Sequence, residues 1–185
     1  FPKPTEPLPE AYPLNLVECG ACGLVQLDYT VPRDLIYKHY WFRSGTSPQN
    51  VAALRDVAFS SLAKVDISNL KPNEHVIWCD IGANDGELLK HVPPHWIRFG
   101  FEPATNLCKE ANENKGLFVV NDYFSAKAFH SQFSTFDKAM VVSAVAMFYD
   151  LEEPHKFVQD VKDILAPDGV FVIQQNYLLS MLTNN

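Results

Sequence analysis

A chain of 185 residues, 47% hydrophobic, 12% aromatic and 20% charged, is long enough to bury a sizeable core and is neither collagen-like nor disordered in composition. Fifteen Lys and Arg against 22 Asp and Glu leave a formal charge of −7 with no basic cluster, which argues against nucleic acid and anionic lipid as partners. No run approaches the roughly 20 apolar residues of a membrane span and no signal peptide opens the chain, so a cytoplasmic protein is expected.

In chain order, six of the 13 prolines fall within the first 32 residues, which predicts an extended, turn-built start without helix. Residues 14–27 read as two short strands around Cys19-Gly20-Ala21-Cys22-Gly23, a knuckle. Cys19 and Cys22, two residues apart, are half of a tetrahedral zinc site; two further ligands are needed. Cys79 and Cys108 read as core residues of a strand and a helix rather than as those ligands, so the other pair is expected upstream of Phe1. Four unevenly spaced cysteines suit reduced thiols better than a disulfide framework. The missing initial Met and the end at Asn185, inside an apparent element, read as a segment of a longer chain.

An aromatic connector follows, with Tyr37, Tyr40, Trp41 and Phe42 ahead of Ser44-Gly45-Thr46-Ser47. We group residues 1–47 as an N-terminal remnant and residues 48–185 as the main domain. Ser47-Pro48 has the form of an N-cap with a first-turn proline, and Val51, Leu54, Ala58, Leu62 and Val65 then recur on one helical face.

Strict alternation begins near residue 75. Strands are predicted at 75–81, 98–102, 117–121, 136–142 and 170–175, and helices at 86–92, 104–114, 125–133 and 154–165, the last broken by Pro167-Asp168-Gly169. Strands separated by helices need crossovers and hence a parallel sheet covered on both faces, a doubly wound α/β architecture. The near-continuous apolar strand runs agree, since parallel strands are buried on both sides.

The first of these strands runs into Asp80-Ile81-Gly82-Ala83-Asn84-Asp85-Gly86, a glycine turn that opens a helix. In such a sheet the ligand lies beyond the carboxyl ends of the strands, and Gly82 admits backbone where a Cβ would collide. Glu102 closes the next strand, 22 positions after Asp80, where a carboxylate can accept both hydroxyls of a ribose. The alternative is a turn whose glycines serve packing alone. A dinucleotide site would need a third glycine for the pyrophosphate, whereas Asp80 and Asp85 bring negative charge there. Phosphate is disfavoured and a cationic sulfonium with a free amine is favoured, which points to S-adenosylmethionine. Asn121-Asp122-Tyr123, at the end of the third strand, lies where adenine would be held, or else forms an Asx turn. Ser143 and Tyr149 lie along the edge that looks onto the methyl group. The candidate cofactor residues are therefore Asp80, Gly82, Ala83, Asn84, Gly86, Glu102, Pro103, Asn121, Asp122, Tyr123 and Ser143. The six histidines show no metal-ligand spacing.

The chain resembles the S-adenosylmethionine-dependent C-methyltransferases of deoxysugar biosynthesis. The resemblance rests on the cysteine knuckle, Tyr40-Trp41-Phe42-Arg43-Ser44-Gly45-Thr46, Asp80-Ile81-Gly82-Ala83-Asn84-Asp85-Gly86 and Phe101-Glu102-Pro103. Met147-Phe148-Tyr149-Asp150-Leu151, residues 165–173 and Asn176-Tyr177-Leu178-Leu179 extend it. It implies a Rossmann-like class I methyltransferase sheet, an N-terminal zinc-binding domain with four cysteines, a further C-terminal domain, and a nucleotide-linked keto-deoxysugar as acceptor. On that reading the sheet is incomplete at its C-terminus and residues 1–47 hold a zinc-knuckle-like remnant. The His-Glu-His stretch thought to supply the base in that family is not in this sequence. Phe42 stands where many members have tyrosine, and Met147-Phe148 where some have histidine. Tyr40 and Tyr149 then become the catalytic candidates, and Arg43 and Ser44 the contacts to sugar or diphosphate, unless Arg43 is paired with a carboxylate. Small-molecule O- or N-methyl transfer and a non-catalytic cofactor-binding domain are the rival readings.

Overall fold

In the computed structural model, residues 10–68, 75–134 and 137–183 are described. The chain divides into two compact units, Phe1–Ile36 and Tyr37–Asn185. Residues 37–47, grouped above with the N-terminal stretch, pack with the second unit.

In the first unit, β1 (Leu16–Glu18) and β2 (Val25–Leu27) form an antiparallel ribbon, with Leu16 opposite Leu27 and Glu18 opposite Val25. The turn between them is closed by Cys19 N–H to Leu24 O and Gly23 N–H to Cys19 O, both 2.8 Å. A short helix, α1 (Arg33–Tyr37), ends at the division between the units.

The second unit is built on a five-stranded parallel sheet: β3 (Ile77–Ile81), β4 (Ile97–Phe101), β5 (Leu117–Val120), β6 (Ala139–Val145) and β7 (Leu165–Gln174). Their order in space is β5-β4-β3-β6-β7, every pair parallel. The chain winds one way from β3 through β4 to β5 and the other way through β6 to β7. The sheet thus has a switch point between β3 and β6, where doubly wound folds hold their ligands.

The helices are α2 (Pro48–Leu62), α3 (Glu87–Lys90), α4 (Thr105–Glu113), α5 (Ala126–Gln132), α6 (Pro154–Ile164) and α7 (Leu178–Thr183). Ser47 caps α2 through the Asn50 N–H, and Ser125 caps α5 through that of Ala128. Alternate strand residues serve opposite layers. Ile77, Cys79 and Ile81 join Phe129, Phe157 and Ile164 beneath α5 and α6, while Trp78 joins Ala58, Leu89 and Ala111 beneath α2, α3 and α4. Cys79 and Cys108 are buried in these cores, as their sequence context suggests.

Four elements depart from the sequence reading. The final strand begins at Leu165, not after Gly169: the register jumps from Ala139 opposite Leu165 to Val141 opposite Val170, so Pro167-Asp168-Gly169 forms a bulge within β7. The fourth strand of the sheet is shifted toward its carboxyl end, reaching Val145 instead of Val142; Phe136 lies outside the described residues. Helices α1 and α7 were not expected, being too short to show a full period of apolar residues. Among the described residues no helix is long and apolar enough to cross a membrane.

Candidate functional site

Beyond Ile81 the backbone turns left-handed three times, at Gly82 (φ +75°), Asn84 (φ +53°) and Gly86 (φ +77°). A Cβ on Gly86 would stand 2.7 Å from Leu117 Cδ2, so only glycine lets the turn seat against α4 and β5. The turn is pinned to the neighbouring strand, because Gly82 and Ala83 both donate to Phe101 O at 2.9 and 3.0 Å.

Glu102 completes this arrangement. Its Oε2 accepts the Asn84 N–H and its Oε1 the Ala104 N–H, each at 2.8 Å. The carboxyl is 6% exposed, and burial pushes its pKa up against the pull of these two amides. Each oxygen retains a second lone pair that can accept a hydroxyl.

Asp80 lies at the same switch point. Its Oδ1 accepts the Ser143 hydroxyl at 2.6 Å, and Ser143 in turn accepts the Trp78 Nε1–H at 2.8 Å. Burial raises the Asp80 carboxyl to about 7; the Ser143 hydrogen bond opposes this and the nearby Glu102 adds to it. Among the described residues no lysine or arginine pairs with Asp80 or Glu102. Two buried carboxyl groups without a protein cation suit a positively charged partner, which would draw Asp80 into its ionised form, and disfavour pyrophosphate.

Several sequence candidates take different parts from those expected. Ser143 has no exposed surface and its hydroxyl is committed to Asp80 and Trp78, so it supports Asp80 from beneath. Asn121 is spent within the protein: Nδ2 donates to Glu102 O and Pro103 O at 2.9 and 3.0 Å, and Oδ1 accepts the Thr105 hydroxyl at 3.0 Å. It braces the loop after β4. Asp122 Oδ1 accepts the N–H of the next residue, Tyr123, at 2.7 Å, one position short of the reach of an Asx turn. Arg43 is held by Glu110, its Nε lying 2.7 Å from Oε2 and 3.0 Å from Oε1. That pairing, from a helix 67 residues away, occupies the guanidinium considered for a diphosphate.

The catalytic candidates sit in a polar cluster. Tyr149 lies in the single helical turn Phe148–Asp150 that follows β6, and its phenol is pushed up by burial, then by Asp150 and Tyr40. The Tyr37 phenol is raised by burial and then by the neighbouring Asp150; its ring centroid is 5.8 Å from that of Tyr40. Tyr37, in the aromatic connector, and Asp150, in Met147-Phe148-Tyr149-Asp150-Leu151, carry no role in the sequence reading and come together only through the fold.

In the first unit, the Cys19 thiol is lowered by the backbone amides of Ala21 and Cys22 and by the Cys22 side chain. A lowered thiol is biased toward thiolate, the state that binds zinc. Among the described residues no group of three or more His, Cys, Asp or Glu could hold a metal ion.

Residues 50–182 match a family model described as a methyltransferase domain. The chain is 25% identical over 177 residues to the C-methyltransferase NovU of Streptomyces niveus, a match covering 94% of the chain and 40% of NovU. The chain therefore spans well under half the length of that relative. Among solved structures, the plantazolicin methyltransferase BpumL, in complex with a pentazolic desmethylPZN analog and SAH, superposes with a TM-score of 0.55 at 16% identity, over 75% of this chain and 51% of BpumL. The CurJ carbon methyltransferase gives 0.51 at 16% identity, over 69% and 36%. At such identities these two show the fold alone.

The buried Asp80 makes stability depend on pH in a stated direction. Folded, its carboxyl keeps a proton up to about pH 7; unfolded, it releases it near pH 4, so between those values the native state binds the extra proton and stability falls as pH rises. Asp80→Asn is expected to reduce that fall, leaving the smaller contribution of Glu102. Urea unfolding at pH 5 and 7.5 measures it; an equal fall in both proteins would refute the assignment.

Proposed function

The chain belongs to the methyltransferase-domain family, and from that premise we propose that it serves S-adenosylmethionine-dependent methylation of carbon next to a ketone, on a nucleotide-linked keto-deoxysugar. The observation that carries the cofactor part is the pair of buried carboxylates, Asp80 and Glu102, unpaired with protein cations beside a left-handed glycine turn at the switch point. The relative named a C-methyltransferase and the sugar-family motifs of Tyr40–Thr46 and the cysteine knuckle support the acceptor part.

In this reading Glu102 accepts the ribose hydroxyls on its remaining lone pairs. Gly82, Ala83, Asn84, Gly86 and Pro103 offer backbone close to the ligand, and Asp80 supplies negative potential for the cationic end. Asp122 and Tyr123 border the adenine. When bound, S-adenosylmethionine supplies an electrophilic methyl whose departure leaves a neutral thioether. The acceptor carbon loses its proton to a base, and its electron pair forms the new carbon–methyl bond. Tyr149, held protonated by its surroundings, suits hydrogen-bond donation to the acceptor carbonyl oxygen, where charge develops, better than proton abstraction. Tyr40 stands beside it. Ser44 remains a candidate substrate contact; Arg43 reaches a diphosphate only by releasing Glu110.

The test is incubation with carbon-13 methyl-labelled cofactor and nucleotide-linked keto-sugars, with the product read by NMR. A new carbon–methyl signal is expected; an oxygen-linked methyl alone would contradict carbon transfer, and no transfer despite cofactor binding would favour a non-catalytic domain. In calorimetry, Glu102→Ala should weaken S-adenosylhomocysteine binding by about 1 to 3 kcal/mol, the loss of charged hydrogen bonds. Unchanged affinity would place the ribose elsewhere.

Cys19 and Cys22 are proposed as two thiolate ligands of a zinc ion, supported by the amides that lower Cys19. Titration with cobalt(II) should give a sulfur charge-transfer band that Cys19→Ser removes; a wild-type protein without the band would refute the proposal.

A further inference from the structure

We propose that Asn84 couples the nucleoside site to the Tyr40–Gly45 segment, so that a ligand on Glu102 fixes the segment carrying Tyr40 and Ser44. This inference rests on the reading of Glu102 as the ribose acceptor. Asn84 adopts φ +53°, a conformation in which glycine would be cheaper, between two glycines that adopt it freely. A side chain kept at such a position has work for its polar atoms.

Here every polar atom of the residue except its carbonyl is committed. The backbone N–H goes to Glu102 Oε2 at 2.8 Å. Nδ2 donates to Phe42 O at 3.0 Å, and Oδ1 accepts the N–H groups of Ser44 at 3.0 Å and Asp85 at 2.9 Å. Asp85 Oδ2 adds the Gly45 N–H at 2.8 Å. One residue therefore joins the carboxylate to a segment some 40 positions earlier in sequence. The segment's other attachments are independent of the turn: Asn106 holds both the N–H and the carbonyl of Tyr40, at 3.2 and 2.7 Å, and Glu110 holds Arg43.

The physical consequence is linkage. A ribose on Glu102 restrains the turn, and a restrained turn pays less entropy to hold Phe42 and Ser44 in place. By reciprocity, an acceptor that orders the segment strengthens cofactor binding by the same factor. Because the Asn84 contact to Glu102 runs through backbone, its side chain acts as a positioning group and is separable by mutation.

Amide hydrogen exchange read by NMR, with S-adenosylhomocysteine as the probe, tests this. In the wild type the probe should slow exchange at Asn84 and also at Ser44, the latter by about tenfold, one net hydrogen bond. Asn84→Gly preserves the left-handed turn and the N–H; the probe should still slow the amide at position 84, with under about twofold slowing at Ser44. Asn106→Ala should speed exchange at Tyr40 yet keep the probe-dependent slowing at Ser44. Slowing at Asn84 without slowing at Ser44 in the wild type overturns the inference, as does wild-type slowing at Ser44 in Asn84→Gly. If the probe neither binds by calorimetry nor changes any amide, the reading of Glu102 falls and the inference with it.

Discussion

Two backbone amides on one buried carboxylate organise the site. A Glu102 side chain at the end of β4 would cost several kcal/mol to bury unsatisfied. The Asn84 and Ala104 N–H groups offset that cost, and in doing so they fix the two loops that follow β3 and β4. The left-handed turn needs Gly82 and Gly86 for its backbone and Glu102 for its anchor. Asn121 then ties the end of β5 to the same loop through Glu102 O and Pro103 O. Three adjacent strand ends are thereby held in one arrangement.

The sheet decides where this arrangement can lie. With β3 flanked by β4 and β6, the crossovers leave in opposite directions and open a crevice at the carboxyl ends of the central strands. The cost of placing Asp80 there is visible in its raised pKa, and Ser143 on the neighbouring strand, itself held by Trp78, offsets part of it. The remaining negative potential distinguishes this crevice from a pyrophosphate site of similar backbone shape.

The alternation of strands and helices was legible because each strand is an apolar run and the longer helices carry a period of their own; Asp80, Gly82, Gly86 and Glu102 were legible by spacing. What escaped was long-range or depended on burial. Nothing near Arg43 announces Glu110, and nothing near Ser143 reveals that its hydroxyl serves Asp80 and Trp78 rather than the crevice. Pro167 and Gly169 read as the break between the last helix and a strand starting at Val170, yet the strand begins before them and absorbs them as a bulge because β6 resumes pairing at Val170. Tyr37 and Asp150, far apart in sequence, meet only once β6 has delivered its following turn beside the connector.

The central claim is that the Glu102 carboxylate receives a ribose. A crystal structure of the protein with S-adenosylhomocysteine tests it most directly. The account predicts both ribose hydroxyls within about 2.5–3.0 Å of the Glu102 oxygens, with the Asn84 and Ala104 amides still in place. An adenosyl group bound elsewhere, or one whose ribose faces solvent with Glu102 untouched, would contradict it.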